Sequence, residues 1–477
     1  MNFFMYDIIF LVLFTTFVIW FLYTRRKNLQ REGILFLYRT KFGMKAIEWT
    51  SRKFKKQLQW IQYVSIFTGY VLMATMMYLF FQLVYIYVSS PETVKAIKIP
   101  PIMPLIPYLP SLFSISFLPP FYFTYWIVIL AIVAISHEFS HGIFARLHNI
   151  KIKSTGFGFL GPFLAAFVEP DEKQMGKKSI KSQLAVLSAG TFANIIVSIL
   201  FIIIFVLFFW SMFIPSGAVF DMYAFSDINL TQVNSVNGYL VNNPSPQTIM
   251  ENLNLKSGNN LTEIKISNSS YLIDNNIFIA NIKSVGEIAR VYDDLPTARA
   301  GITGAIIELN GVKISSINDL KIEIGKYLPG ANITVKTEMN NNQINNYNIT
   351  LADNGNGKAV MGIVLLPYPS TGIKGVIYQA ISIVKEPGTY YKSRLNTNFN
   401  QFIVDLLWWM ILINLSVALV NMLPLGIFDG GRVFYLTILY FTKSDNMAKK
   451  IFKWMTMLLL FMLALIMVFW AYSVYFS

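Results

Sequence analysis

The residues that could do chemistry in this sequence are concentrated in the run H-E-F-S-H at positions 137–141. On a helix, residues four apart lie on one face with about 5–6 Å between their Cβ atoms, so His137 and His141 can bind one metal ion. Glu138 adjoins the first imidazole and could reach a metal-bound water as a general base. Cysteine is absent and only three histidines are present, so any metal must be held by His, Asp or Glu. The spacing predicts a catalytic zinc site with one Zn²⁺ per chain, whereas the third histidine, His148, is predicted to be a loop residue.

A catalytic zinc ion that is bound by two imidazoles needs a third protein ligand and a water. Glu169 is one candidate, 28 residues after His141 in the acidic run V-E-P-D-E at 168–172. Asp429 is the other, in the run N-M-L-P-L-G-I-F-D-G-G-R at 421–432, where proline and glycine should break a helix inside an apolar region. Irregular backbone at membrane depth is tolerated only where it is buried in protein or lines a cavity, and an acid there is a functional candidate. Asp429 is therefore favoured, and Glu169 is expected in a solvated turn.

The elements that must position these residues are membrane-spanning helices. Of the 477 residues, 55 % are hydrophobic and only 13 % are charged, and the mean hydropathy is +0.50. Soluble globular proteins carry about 25 % charged residues, so an ordinary cytosolic enzyme is excluded. A span needs about 20 mostly apolar residues. Six segments meet this requirement: 3–23, 60–88, 121–144, 184–214, 402–421 and 451–475, with a further broken apolar stretch at 433–441.

The net charge of +14 is concentrated beside these spans. Residues 25–56 carry a net charge of +9, residues 146–181 carry +4 and residues 443–453 carry +3. Basic residues in short loops beside apolar spans indicate the cytoplasmic side of the membrane. We therefore expect a multi-pass protein of the cell membrane with both termini outside and the histidine pair toward the cytoplasm. Nucleic acid is not an expected partner, because no soluble basic face is visible.

The spans divide the chain into four regions. Residues 1–120 hold two spans, a basic loop and a proline-rich external segment that is expected to lie on the membrane surface or re-enter it. Residues 121–216 and 373–477 hold the two halves of the membrane core. Residues 217–372 are rich in Asn, carry a net charge of −3, and show short strand-like runs and five N-x-S/T sequons, which predicts a β-rich extracytoplasmic domain.

This β-rich block repeats weakly. V-N-S-V-N-G at 233–238 resembles I-I-E-L-N-G at 306–311, and each is followed some 20 residues later by a similar stretch, at 255–262 and 328–334. The fold class expected from the sequence is an α-helical polytopic membrane protein. It has six transmembrane helices, a broken or re-entrant segment near the metal site and an inserted β-rich domain.

Taken together, these motifs resemble the site-2 protease family of intramembrane zinc metalloproteases over residues 121–477. The resemblance is carried by the run at 137–141 and by residues 421–431, which are similar to the family's N-x-x-P-x-P-x-L-D-G with Gly426 and Phe428 as departures. A-G-T-F-A-N at 189–194 is similar to A-G-P-x-x-N, and G-F-G at 156–158 is similar to a G-x-G hairpin that dips into the membrane. A-R-A-G-I at 298–302 resembles the start of a PDZ domain, so 217–372 is expected to be PDZ-like, with the first repeat degenerate.

The resemblance implies a role for each matched residue. His137, His141 and Asp429 would bind zinc, and Glu138 would activate the water. Asn194 and Asn421 would hold the substrate backbone or a developing oxyanion, although an Asn near a helix break can instead satisfy freed backbone groups. The hairpin with Gly156 and Gly158 would either present an edge strand to an extended substrate or form a tight turn.

Three hypotheses about function follow from the sequence. The first is a zinc-dependent endopeptidase that cleaves single-span transmembrane proteins within or near the bilayer, as in regulated intramembrane proteolysis. The second is a metal or ion transporter or channel whose permeation sites are the intramembrane His, Glu and Asp. The third is a non-catalytic membrane scaffold that acts through its PDZ-like domain. The first is preferred, and the sequence does not determine the oligomeric state.

Overall fold

The computed structural model describes residues 3–33, 35–90, 94, 100–101, 103–112, 115, 118–160, 163–253, 260–281, 288–339, 342–365, 372–395 and 397–475. Parts of the proline-rich segment at 90–120 and of the stretch at 255–262 therefore lie outside the described residues. The described chain forms two compact units, one of residues 1–208 with 401–477 and one of residues 209–400. The helices are α1 (Phe3–Thr24), α2 (Met44–Lys53), α3 (Lys55–Ser89), α4 (Leu109–Leu112), α5 (Phe123–Leu147), α6 (Glu172–Gly176), α7 (Ile180–Met212), α8 (Pro246–Glu251), α9 (Asn275–Asn281), α10 (Pro296–Arg299), α11 (Ile317–Ile324), α12 (Gly372–Val384), α13 (Thr397–Val420), α14 (Asp429–Thr442) and α15 (Asp445–Tyr475).

Six of these helices are long and apolar enough to cross a membrane, among the residues that the structure describes. They are α1, α3, α5, α7, α13 and α15, and each contains most of one span expected from hydropathy. The expected count of six spans agrees with this result. Large apolar side chains such as Leu13, Trp20 and Leu207 are more than half exposed on these helices, as residues that face lipid would be.

Helix α5, which carries the histidine pair, is fixed at its first turn by a buried acid from α1. The side chain of Asp7 is 1 % exposed. Its carboxylate accepts hydrogen bonds from the backbone N–H groups of Phe123 and Thr124 at 2.8 Å each, and from the hydroxyls of Thr124 and Tyr108. The first N–H groups of a helix have no partner within the helix and lie at the positive end of its dipole. Asp7 therefore caps α5 from another span.

A four-stranded antiparallel sheet lies beside α5. Its strands are β1 (Leu29–Glu32), β2 (Leu35–Thr40), β3 (Ile152–Leu160) and β4 (Phe163–Pro170), and they pair in that order. Gly156 and Gly158 therefore lie in an inner strand that pairs on both sides, opposite Arg39 and Leu37 on β2. Neither glycine lies at a free edge of the sheet or in a tight turn, because β3 pairs with β2 on one side and with β4 on the other. Of the two strands β3 and β4, only β4 has a free edge within the described residues.

The break that was expected after the fifth span is observed at residues 421–428, between α13 and α14. Two glycines after Asp429 make it possible. A Cβ on Gly430 would lie 2.3 Å from the carbonyl carbon of Met422, and a Cβ on Gly431 would lie 2.2 Å from the carbonyl oxygen of Leu425. Gly430 N–H donates to the carbonyl of Asn421 at 2.7 Å. The start of α14 can thus nest against the turn only because both positions lack side chains.

The second unit contains two six-stranded sheets. One pairs β7 (Phe225–Asn229), β12 (Ile288–Asp293), β11 (Ser269–Asp274), β10 (Leu261–Ile266), β8 (Ser235–Val236) and β9 (Tyr239–Leu240) in that order. The other pairs β16 (Ile344–Thr350), β15 (Asn332–Glu338), β13 (Ala305–Leu309), β5 (Phe213–Ala218) and β20 (Thr389–Ser393), with β14 (Val312–Lys313) on β13. Two short ladders complete the unit: β17 (Ala352–Asp353) with β18 (Ala359–Val360), and β19 (Ile363–Val364) with β6 (Met222–Tyr223).

The weak sequence repeat corresponds to a repeated order of elements in the two sheets. Strands β8 and β9 are joined by Asn237-Gly238, and β13 and β14 by Asn310-Gly311, all four residues with positive φ. Positive φ at both central positions defines the type I′ hairpin turn, which favours Asn-Gly. A helix with a serine capping box follows each hairpin, α8 after Ser245 and α11 after Ser316. The next strand then pairs with the first strand of the hairpin, β10 with β8 and β15 with β13.

The cap on α5 gives the first prediction. Asp7→Ala removes the acceptor for two buried N–H groups, each of which then carries a desolvation cost of about 1–3 kcal/mol. We expect a clearly lower temperature of thermal unfolding in detergent solution. Glu251→Ala, which removes an exposed acid at the end of α8, is the control and should have little effect. Equal unfolding temperatures for the two variants would contradict the capping role.

Candidate active site

Three side chains that are distant in sequence converge beside the middle of α5. The Nε2 atoms of His137 and His141 are 3.0 Å apart, and Oδ2 of Asp429 lies 3.3 Å from the first and 3.2 Å from the second. An ion bound tetrahedrally with bonds of about 2.0–2.1 Å places its ligand atoms about 3.3–3.4 Å apart. The three atoms thus form one face of such a tetrahedron, and the fourth vertex is left for water. Among the described residues, this is the group of His and acidic side chains with the geometry to hold a metal ion.

The second nitrogen of each imidazole also has a partner. Nδ1 of His141 lies 2.7 Å from the carbonyl oxygen of Val186. The amide nitrogen Nδ2 of Asn194 lies 3.2 Å from Nδ1 of His137, and its Oδ1 accepts a hydrogen bond from Ser136 Oγ at 3.4 Å. When Nε2 binds a metal, Nδ1 carries the proton, and the amide of Asn194 would turn by 180° so that Oδ1 accepts it. These contacts fix the ring orientations that direct both Nε2 atoms toward one point.

Asn194 therefore lies behind the histidine pair. Its side chain is fully buried, and it contacts His137 and Ser136. The sequence-based expectation was that Asn194 contacts substrate, but the position that the structure gives it supports an orienting role toward His137. Asn421, in contrast, lines the cavity in front of the histidines.

Gly190 was not singled out from the sequence, although it lies in the A-G-T run at 189–191. A Cβ at this position would lie 2.4 Å from Nε2 of His141 and 2.6 Å from Nε2 of His137. Helix α7 passes so close to the ligand atoms that only hydrogen fits between them. The signal that could have identified it is the run of small residues at 188–190, since such runs allow close approach between membrane helices.

Glu169, the rival third ligand, is engaged elsewhere. Its carboxylate accepts hydrogen bonds from Arg39 on β2 and from Ser154 Oγ at 2.7 Å. It does not belong to the metal-compatible group of the described residues. Of the two candidates, the tertiary structure brings Asp429 to the histidine pair.

Glu138 lies beside the same point, on the strand side of α5. Its Oε2 accepts a hydrogen bond from the backbone N–H of Val168 on β4 at 2.9 Å. A cavity of about 460 Å³ opens in front of the group, and its lining includes His137, Glu138, His141, Asn421 and Asp429. The carboxylate of Glu138, a metal-compatible triad and an open cavity thus meet in one place.

His148 is the C-terminal cap residue of α5 and is not part of this group. Burial, with additional effects of Lys178 and Lys181, lowers the pKa of His148 below its ordinary value. The side chain is therefore neutral at pH 7.

The close approach of α7 gives the second prediction. Gly190→Ala places a methyl group where the ligand atoms meet, so the purified variant should hold far less than one zinc per chain while its helical content is retained. Metal analysis and circular dichroism measure the two quantities. Gly176→Ala is the matched control, because a Cβ there meets nothing within 4 Å. Full zinc occupancy in Gly190→Ala would refute this account of the site.

Comparison with known proteins agrees with the geometry. The model of peptidase family M50 matches residues 125–466, well over half of the chain. An uncharacterized protein of Methanocaldococcus jannaschii is 47 % identical over 73 residues, which are 15 % of this chain. The chain spans about a fifth of that relative's length, since the match covers 20 % of it. The extent of the family match, which includes the His-His-Asp group, shows that this chain belongs to peptidase family M50.

Proposed function

We propose that the protein is a zinc-dependent endopeptidase that cleaves single-span transmembrane proteins within or near the bilayer. The observation that carries this proposal is the triangle of His137, His141 and Asp429, with Glu138 beside it. Its two histidines and Glu138 lie on α5, a helix of membrane-spanning length, and Asp429 begins the shorter helix α14. The donor set of two imidazoles and one carboxylate fits zinc and leaves a position open, as in catalytic sites.

Each residue has a role in this proposal. His137, His141 and Asp429 would hold the ion, which when bound lowers the pKa of a coordinated water and polarises the substrate carbonyl. Glu138 would accept the proton of the attacking water and pass it to the leaving amine. Asn194 would keep the ring of His137 in its binding orientation, and Asn421, which lines the cavity, would bind the substrate backbone.

The free edge of β4 supports a route for substrate binding. A peptide bond inside a helix is poorly accessible to a nucleophile, so the substrate must be extended where it is cut. Strand β4 pairs only with β3 among the described residues, and its Val168 lines the cavity. An extended segment could add to this edge as a further strand, which places its backbone beside Glu138.

We further propose that the second unit includes a PDZ-like domain on the extracytoplasmic side. The sheet around β13, β15 and β16, with helix α11 and the A-R-A-G-I run, supports this identity. A cavity of about 840 Å³ lies between α11 and strands β18 and β19. Such a domain would act as a filter that admits substrates already shortened on the outside. The basic loops at 146–181 and 443–453 support placement of the active site toward the cytoplasm.

The rival hypotheses have less support. A transporter or channel and a PDZ-bearing scaffold both leave unexplained why a general base lies beside a metal-compatible triad. Membership of a peptidase family favours catalysis over both alternatives. The oligomeric state is not part of the proposal.

The third prediction tests the base. Glu138→Gln should leave about one zinc per chain and lower the rate of cleavage of a membrane-spanning test peptide by about 10²–10⁴-fold, the usual contribution of a general base. Glu251→Gln on α8, which changes an exposed acid of the second unit, is the control. Cleavage by zinc-loaded Glu138→Gln protein at the wild-type rate would end this mechanism.

The fourth prediction tests the third ligand. Asp429→Ala should weaken zinc binding by more than the 10–100-fold or so that loss of an outer-shell partner costs, because a direct ligand is removed. Glu169→Ala should change zinc affinity little, since that carboxylate is engaged with Arg39 and Ser154. Competition with a chelator measures both affinities. The reverse order of the two effects would overturn the assignment.

A further inference from the structure

Residues 29–53 lie outside the part of the chain that matches the M50 family model, yet they contact both elements that carry the general base and its hydrogen-bond partner. Glu138 is on α5, and the N–H that binds its carboxylate belongs to Val168 on β4. The position of that carboxylate depends on the distance between this helix and this strand. Since β4 is an edge strand within the described sheet, something other than a second neighbouring strand must hold it in place.

A polar network that takes one residue from each strand of the four-stranded sheet holds β4. Arg39 on β2 donates to the carboxylate of Glu169 on β4 and, at 3.0 Å, to Ser154 Oγ on β3. Ser154 Oγ in turn donates to Glu169 at 2.7 Å. The other terminal nitrogen of Arg39 donates to Glu32 on β1 at 2.8 Å. Glu169 is the neighbour of Val168 in the chain, so this network fixes β4 one residue from the N–H that faces Glu138.

The guanidinium reaches β4 by crossing over β3. Arg39 is paired with Gly156, and a Cβ on Gly156 would lie 2.2 Å from the carbonyl oxygen of Tyr38 and 2.8 Å from the ring of Phe167. The guanidinium carbon lies 5.8 Å from the centre of that ring. Arg39 and Glu169 are 26 % and 30 % exposed, so the pair is partly shielded from water. Charged pairs with limited solvent exposure are screened less than those on the surface.

Residues 29–53 also contact α5, through helix α2. Ile47 is fully buried, and a Cβ on Gly142, the residue after His141, would lie 2.9 Å from its Cδ1 atom. Arg146 on α5 donates to Glu48 on α2 at 2.6 Å. This hydrogen bond and the charge of Arg146 lower the pKa of Glu48 below its ordinary value, so the pair is ionised at pH 7. A segment of 25 residues is thus attached to the helix at one end and to the strand at the other.

We propose that Arg39 is a positioning residue for the general base, and that residues 29–53 set the spacing between α5 and β4. The proposal rests on the proposed function, because it assigns Glu138 the role of the base. Arg39 touches neither the metal-compatible group nor the cavity lining, so it acts through Glu169, β4 and the Val168 N–H. A misplacement of about 1 Å at a reacting group can cost about 10²-fold in rate. The effect should appear in kcat and leave zinc binding intact.

The test uses the full chain, purified with zinc and reconstituted in lipid vesicles, with a membrane-spanning test peptide. Arg39→Ala should lower kcat by about 10–100-fold, change KM by less than about threefold and keep about one zinc per chain. In the same variant, the amide of Val168 should exchange with deuterium faster than in the wild type. Arg31→Ala is the matched control. Arg31 lies on the same hairpin, and its hydrogen bond goes to the carbonyl of Gly33 within its own turn.

Two further variants separate positioning from a general loss of structure. Arg39→Lys should recover only part of kcat, because an ammonium lacks the planar fork that bridges several acceptors. Exchange of the charges, Arg39→Glu combined with Glu169→Arg, should restore more activity than either single variant retains. Wild-type kcat and wild-type Val168 exchange in Arg39→Ala would overturn the proposal. So would loss of zinc in Arg39→Ala without recovery in the exchanged pair. If the wild type itself cleaves nothing, the proposed function fails. The rate of deuterium exchange at the Val168 amide then still tests whether Arg39 holds β4 in position.

Discussion

The structure depends on holding two imidazoles and a carboxylate within about 3 Å of one another among apolar helices. Their ligand atoms are separated by 3.0–3.3 Å, and both histidines are buried. Polar groups are costly inside a membrane unless they have partners, and a carboxylate at mid-helix costs about 2.5–3.5 kcal/mol on insertion scales. A bound metal ion would offset this cost, because its positive charge would balance the negative charge of the carboxylate. The surrounding elements can be read as the support that this group requires.

Much of that support comes from close packing at glycines, where no side chain separates the elements. Gly190 lets α7 reach the ligand nitrogens, and Gly430 and Gly431 let the start of α14 fold back on the turn that precedes Asp429. Gly142, the residue after His141, lets Ile47 of α2 pack closely against α5. At each of these glycines, a second backbone, an imidazole ring or an aliphatic side chain lies within 3 Å of the position that a Cβ would take. The convergence of three separate segments on one point is therefore a packing constraint as much as an electrostatic one.

Polar contacts at the ends of α5 provide a second kind of support. Asp7 caps the first turn of α5 from another helix, and Arg146 joins its last turn to α2. The helix that carries the histidines is thus held at both ends by acidic side chains from residues 1–53, Asp7 at its first turn and Glu48 at its last. In the second unit, the turns and helix starts of the two repeats are determined locally. The Asn-Gly pairs favour type I′ hairpin turns, and the serine capping boxes fix where α8 and α11 begin.

What the sequence by itself determined is local. The spacing of His137 and His141, the six apolar spans, the break near Pro424 and the repeated Asn-Gly turns all follow from helical periodicity, hydropathy and turn chemistry. Only the tertiary structure decided which of two acids meets the histidines, since 288 positions separate His141 from Asp429. It also decided that β1 and β2 join the sheet, so that β4 has a free edge and β3 does not, and that Arg39 reaches Glu169. These outcomes depend on which distant segments pack together. The periodicity of one segment indicates its secondary structure and its apolar face, but not which other segment packs against that face.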